Sequence, residues 1–218
     1  FYLHSAREGA CVERLAAHGD LYVVHAFALE QEALLREVEV LATCRAHGIA
    51  YTVAHHTGVP FVSYLSGVGP AEAAETTRDT LRTMPVSRLV FAGIAGSTKR
   101  EYVVGDVVVA LAWKHLGTGY KGTVDPALFA HAQALGFATT AHGVTAPAFV
   151  SDMRILPPEA VLVDMETAAV LEVAHQHDVP FIALRAVSDF VDGQDNASDW
   201  DAAARASARA ALRFISHE

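Results

Sequence analysis

A chain of 218 residues with 52% hydrophobic and 19% charged residues has a globular balance and enough length to bury one large core. Its formal net charge of −9, with the positive residues scattered along the chain, argues against a surface that neutralises nucleic-acid phosphates. Apolar runs such as Val103 to Trp113 are too short and too interrupted to span a bilayer, so neither nucleic acid nor membrane is an expected partner.

The two cysteines, Cys11 and Cys44, have neither CxxC spacing nor the pattern of a metal cage or disulfide framework. With no charged-then-apolar leader read at the start, a cytoplasmic, reducing setting is expected. Residues 1–20 stand as an N-terminal extension of unclear role, and residues 21–218 read as one domain.

Along that domain the apolar runs alternate in type. Leu21 to Ala28 is short and β-rich, and Leu29 to His47 follows with Leu34, Leu35, Val38, Leu41 and Ala42 at helical spacing. Phe61 to Val68 reads as a strand ending in glycines, and Ala71 to Thr83 as a helix stopped by Pro85. Leu89 to Ala95 and Val104 to Trp113 are β-branched enough to be strands buried on both faces. Helices are expected from about Pro126 to Leu135, from Met165 to His177 and from Ala197 to Ser216, with a strand from Phe181 to Val187. The sum is a three-layer α/β/α domain around a central mixed, mostly parallel sheet, whose ligands should gather at the carboxyl ends of strands.

Several acids and glycines fall at those ends. Glu30 and Glu32 open the first helix, where ordinary helix-dipole complementation accounts for them equally well. "AGIAGSTKR" places Gly93 and Gly96 where a ligand could approach the backbone, but lacks the spacing of a dinucleotide or Walker loop. Glu166, between Met165 and a small-apolar helix face, is costly to bury unless it is paired or hydrogen-bonded. Asp189 follows Ser188 at the end of an apolar strand, as a helix cap or as an acid aimed into the crevice. The twelve histidines show no metal-ligand spacing.

Together "HAFALEQEALL", "LSGVGPAEAA", "FAGIAG", "GDVVVA", "AFV" and "VDMETAAVLEVAHQHDVPFIALRAVSD" resemble the nucleoside phosphorylase and nucleosidase superfamily, and within it the methylthioadenosine/S-adenosylhomocysteine nucleosidases. The resemblance implies a catalytic domain that hydrolyses the N-glycosidic bond of a purine nucleoside, with no metal and no organic cofactor. It implies that Asp189 protonates the departing base, that Glu32 activates the water, and that Glu166 binds the ribose hydroxyls. Phe149 would stack on the base, the Val150 backbone would read its edge, and Met165 would pack under the ribose. Ala95, Gly96 and Ser188 would complete the pocket, with Trp200 over a 5′ group. A homodimer is implied as well.

The segment between Gly105 and Phe149 departs from the family, and Pro147 stands where an acid often precedes "AFV". Substrate identity is therefore left open. Phosphorolysis remains the alternative, with Arg185 or Arg100 as phosphate ligands, although the acids of "AFALEQE" would repel phosphate. A non-catalytic nucleoside-binding or storage protein is the alternative of another class.

Overall fold

The structure, a computed structural model, describes residues 2–191 and 199–217. In chain order the elements are α1 (Tyr2–Ala17), β1 (Leu21–His25), α2 (Ala28–Leu35), β2 (Glu39–Ala46), β3 (Ile49–His56), β4 (Val59–Leu65) and α3 (Pro70–Thr83). There follow β5 (Arg88–Ser97), β6 (Val107–His115), β7 (Lys121–Thr123), α4 (Pro126–Ala134), β8 (Ala138–Thr145), β9 (Leu162–Asp164), α5 (Thr167–Gln176), β10 (Phe181–Phe190) and α6 (Trp200–Ile215). The expected start of the last helix, Ala197, lies outside the described residues.

The strands form one mixed sheet in the order β10-β6-β8-β9-β5-β1-β4-β3-β2, with β7 beside β6. A further pairing of β10 with β5 closes β5, β10, β6, β8 and β9 into a small barrel. β1, β4, β5 and β10 are parallel, while β6 meets β10 antiparallel and β9 meets β5 antiparallel. Strands β5 and β10 read as continuous apolar runs because both their faces are covered. Leu89, Phe91, Phe181 and Ala183 pack on the side of α1, α3 and α5, whereas Val90, Ala92, Ile182 and Leu184 pack on the side of α2, α4 and α6.

Two sequence expectations need correcting. The helix expected from Leu29 to His47 ends at Leu35, and Glu39–Ala46 instead forms β2, antiparallel to β3. Ala42, Cys44 and Ala46 face the core at a period of two, which the helical spacing of Leu34, Leu35, Val38 and Leu41 had masked.

The cysteines are also joined: Cys11 of α1 and Cys44 of β2 form a disulfide across 33 residues. The bridge exists because α1 lies against β2, with Cys11 and Leu15 buried in the core. It fits an oxidising compartment better than the reducing one expected from composition.

Candidate active site

A cavity of about 220 Å³ opens where the carboxyl ends of β1, β5 and β10 meet the end of β9 and the segment after β8. Its walls are mostly apolar. Phe149 and Val150 come from the segment after β8, Ala95 and Gly96 from β5, Met165 and Glu166 from the turn between β9 and α5, and Trp200 from the start of α6. Ser188 and Asp189 enter from β10. Every site residue expected from the sequence lines this cavity except Glu32.

Asp189 is placed by an irregularity in its strand. Val187 pairs with Ala95 and Asp189 with Gly96, so Ser188 is one residue too many and the register shifts there. Such bulges re-aim side chains at strand ends. The Ser188 hydroxyl donates to Asp189 Oδ1 at 2.6 Å. Oδ2 lies over Gly96, where a Cβ would stand 3.3 Å from that oxygen and 3.0 Å from Val191 Cγ2. A side chain at Gly96 would crowd both groups, so the bare backbone gives the acid its close approach.

Glu166 sits at the N-cap of α5 without capping it; its Oε1 accepts the Gly69 backbone N–H at 2.8 Å. Burial, then the neighbouring Asp164 carboxylate, push its pKa up to about 7, with Arg185 and the Gly69 N–H opposing the rise. Behind it lies a polar cluster that the sequence reading did not assemble. Arg185, fully buried, forms an ion pair with Asp164 Oδ2 at 2.9 Å and donates from Nε to Thr167 Oγ1 at 2.9 Å. Thr145 donates to Asp164 Oδ1 at 2.6 Å, and the Thr167 hydroxyl donates to Oδ2. The Arg185 guanidinium rests on the Phe91 ring, 3.8 Å from its centroid. A buried charge is tolerated when it is paired and hydrogen-bonded in this way.

The placement of Glu32 is a correction. Its side chain is 60% exposed and pairs with Arg36 at 3.5 Å, away from the cavity. Two residues earlier, Glu30 is buried; its Oε2 accepts the Ala26 N–H at 2.7 Å and its Oε1 the Ile94 N–H at 2.8 Å. Residues i and i+2 of a helix point in widely different directions, so one acid turns inward and the other outward. Burial raises the Glu30 pKa, while Arg185 and the backbone donors hold it down. The two groups converge on Gly93: a Cβ there would stand 2.2 Å from Arg185 Nη1 and 2.5 Å from Glu30 Oε1. Arg185 Nη1 is buried and has no hydrogen-bond partner among the described residues. A buried orphan donor beside a carboxylate is a natural berth for a water molecule.

Next to this group His25 ends β1. Its Nδ1 meets the Ala92 carbonyl at 2.8 Å, which requires the proton on Nδ1 and leaves Nε2 a bare acceptor. Burial lowers the His25 pKa to about 3, so the ring is neutral wherever the protein is folded near neutral pH. Among the described residues no group of three or more His, Cys, Asp or Glu is placed to hold a metal ion.

The family model described as the phosphorylase superfamily matches residues 19–216. The chain belongs to the phosphorylase superfamily. This superfamily member is 29% identical over 202 residues to a 5′-methylthioadenosine/S-adenosylhomocysteine nucleosidase of Bacillus thuringiensis (strain Al Hakam), covering 78% of this chain and 87% of that one. Among solved structures it is similar to the Neisseria meningitidis nucleosidase of the same name in complex with methylthio-immucillin-A, at a TM-score of 0.79 and 24% identity over 89% of this chain and 97% of that one. It is similar in fold to the futalosine hydrolase of Helicobacter pylori strain 26695, at a TM-score of 0.79 and 19% identity over 93% and 99% of the two chains. Helix α1 ends before the first matched residue of the superfamily model, residue 19.

Proposed function

We propose that this superfamily member is a nucleosidase that hydrolyses the N-glycosidic bond of a purine nucleoside, with 5′-methylthioadenosine or S-adenosylhomocysteine as the substrate type. The observation that carries the reading is that Asp189 and Glu166 line one cavity whose other walls are almost wholly apolar. Breaking the bond leaves positive charge on the sugar and negative charge on the base. Asp189 delivers a proton to the base from Oδ2, the oxygen that Ser188 leaves free. Glu166, held by Gly69, accepts from the ribose hydroxyls, and as a carboxylate it favours the cationic sugar. Phe149 and the Val150 backbone hold the base, and Met165 packs against the ribose.

The water is assigned to Glu30 and Arg185, which stand behind the cavity wall: Ala26 and Ile94 line the cavity, and both donate their N–H groups to the Glu30 carboxylate. Glu30 accepts its proton, and Arg185 Nη1 fixes its position. Glu32 has no part, since its carboxylate lies in solvent against Arg36.

Phosphorolysis is the second reading, favoured by the unpartnered Arg185 Nη1. Against it, the described residues lining the cavity include no Lys or Arg, and the buried Arg185 behind it is already paired with Asp164 and interacts with the Glu30 and Glu166 carboxylates. Phosphate would meet two carboxylates there. The deciding experiment is release of free base in phosphate-free buffer, from a panel of purine nucleosides with and without 5′ thio groups. Turnover that requires phosphate would overturn hydrolysis; tight adenine-nucleoside binding without release of base would make the chain a binding protein.

The working form is proposed to be a homodimer. Phe149 is 65% exposed, Val68 53% and Trp200 46%, although all three line the cavity. A partner subunit over the mouth would remove that apolar surface from water and close the site.

A further inference from the structure

We infer that His25 is a positioning residue for Glu30: its ring takes the Ala92 carbonyl that would otherwise draw β1 onto β5, and so leaves the Ala26 N–H to hold the Glu30 carboxylate. The inference rests on the nucleosidase reading for what Glu30 does, and adds how the chain keeps that acid in place.

The parallel pairing of β1 with β5 runs from Leu21 opposite Arg88 to Val24 opposite Phe91 and stops there. On its other side β1 stays paired with β4 for one residue more, to His25 opposite Leu65, and the Ser66 N–H donates to the His25 carbonyl at 2.8 Å. The strands therefore part on the β5 side alone. Continued in the same register, the ladder would set Ala26 opposite Gly93. In a parallel ladder a bonded residue donates to one neighbour of its opposite number and accepts from the other. The next rung would then join the Ala26 N–H to the Ala92 carbonyl, and the Ile94 N–H to the Ala26 carbonyl.

Side chains bind three of those four groups instead. His25 Nδ1 donates to the Ala92 carbonyl at 2.8 Å, Glu30 Oε2 accepts the Ala26 N–H at 2.7 Å, and Glu30 Oε1 accepts the Ile94 N–H at 2.8 Å. Buried backbone groups seldom go unpaired, so the two replacements depend on each other. With the Ala92 carbonyl unoccupied, closing the ladder would bring the Ala26 N–H onto it, and the carboxylate would lose a backbone donor. His25 is the stop that prevents this. Because Ala26 and Ile94 also line the nucleoside cavity, the same stop keeps the crevice open at its floor.

The ring suits the task. It is buried, and burial holds its pKa down at about 3 against the opposing Ala92 bond, so it brings one N–H and no charge beside Arg185. Its Nε2 is a buried acceptor with no hydrogen-bond partner among the described residues. An apolar side chain would avoid the cost of that orphan and would forfeit the bond to Ala92. The charged groups acting near Glu30 are Arg185 and Glu166, and neither reaches the Ala92 carbonyl by a hydrogen bond among the described residues.

The test follows the Glu30 carboxyl group by carbon NMR in wild type, His25→Leu and His25→Asn, with adenine release measured on the same preparations. Leucine fills the space without a donor, whereas the asparagine amide nitrogen falls near the place of Nδ1. His25→Leu should raise the Glu30 pKa above its wild-type value and lower kcat by about tenfold or more, because a carboxylate that loses a backbone donor holds its proton more tightly. His25→Asn should restore both. An unmoved Glu30 pKa in His25→Leu, or a His25→Asn protein as impaired as His25→Leu, overturns the inference. If the leucine variant does not fold, His25→Gln takes its place, its amide lying one carbon beyond the Nδ1 position. Wild type supplies an independent check, since nitrogen NMR of the ring should show the Nδ1–H tautomer. The Nε2–H tautomer cannot donate to Ala92 and would overturn the inference without any variant. If wild type releases no adenine from any nucleoside, it is the nucleosidase reading that fails, while the Glu30 titration and the ring tautomer still decide whether His25 positions that acid.

Discussion

A buried carboxylate gives up hydration that only nearby donors and cations restore, and Glu166 recovers it in part from the Gly69 N–H and Arg185. Its pKa rises from 4.5 to about 7, so the free enzyme loses the Glu166 charge as pH falls through 7. Since kcat/KM follows the free enzyme, it should show an acid limb with a midpoint near 7, and a profile flat from pH 5 to 8 would remove the charge from the mechanism. The same shift has a stability consequence of definite sign. Between about 4.5 and 7 the folded state binds more protons than the unfolded state at this position, so this contribution to stability falls as pH rises across that window and is constant above it. In urea melts Glu166→Gln should flatten that slope. Glu30 and Glu32 offer a sharper contrast. As general base, Glu30 should be worth about 10²-fold or more in kcat, so Glu30→Gln should lose that much while Glu32→Gln stays within about twofold. The reverse order would return the role to Glu32. Asp189 and Glu166 were legible in the sequence because each interrupts an apolar segment. Glu30 was not separable from Glu32, because both satisfy the same helix dipole and only the phase of α2 against β1 and β5 turns one inward.

At the scale of elements, apolar periodicity identified the buried strands and missed the exposed ones. β5 and β10 stand out as continuous apolar runs, whereas β2 alternates on the molecule's edge and its residues also fit a helical stripe. The better signal was in the turns. His47 and Gly48, at φ of +51° and +79°, join β2 to β3, and Thr57 and Gly58, at +48° and +92°, join β3 to β4. Two consecutive positive-φ residues are what a tight hairpin needs, and "HG" and "TG" between apolar stretches mark both. The Ser188 bulge left no comparable trace, since a register shift depends on the partner strand. Helix α1 was equally opaque, because its attachment is made by one covalent bond and a few buried side chains. That bond should matter to stability. Closing a loop of 33 residues restricts the unfolded chain by about 3–4 kcal/mol in the chain-entropy account. Reduction, or Cys11→Ser with Cys44→Ser, should lower the urea midpoint accordingly, and identical melts with and without reductant would show that α1 is held without the bridge.

For the molecule as a whole, the closed barrel of β5, β10, β6, β8 and β9 fixes the wall of the cavity that carries Asp189, while its outer rim is left open. Asp189, Gly96 and Asp164 lie on barrel strands and are held by ladder pairings, so their geometry does not need a second subunit. Phe149, Val68 and Trp200 lie in or beside connections and present apolar surface to water. A nucleoside seated between these two groups would meet acids held by the barrel on one side and, on the other, the half-open contacts of Phe149, Val68 and Trp200. Substrate binding should therefore depend on association more than the chemical step does. On dilution, specific activity at limiting substrate should fall as the dimer dissociates, while the rate at saturating substrate falls less, because the acids stay in place in each subunit. Light scattering at the working concentration should give twice the mass of one chain. Full kcat/KM in a preparation that scatters as a monomer would show that one subunit closes its own site, and that Trp200, in edge contact with Phe27 at 6.2 Å between ring centroids, is cover enough.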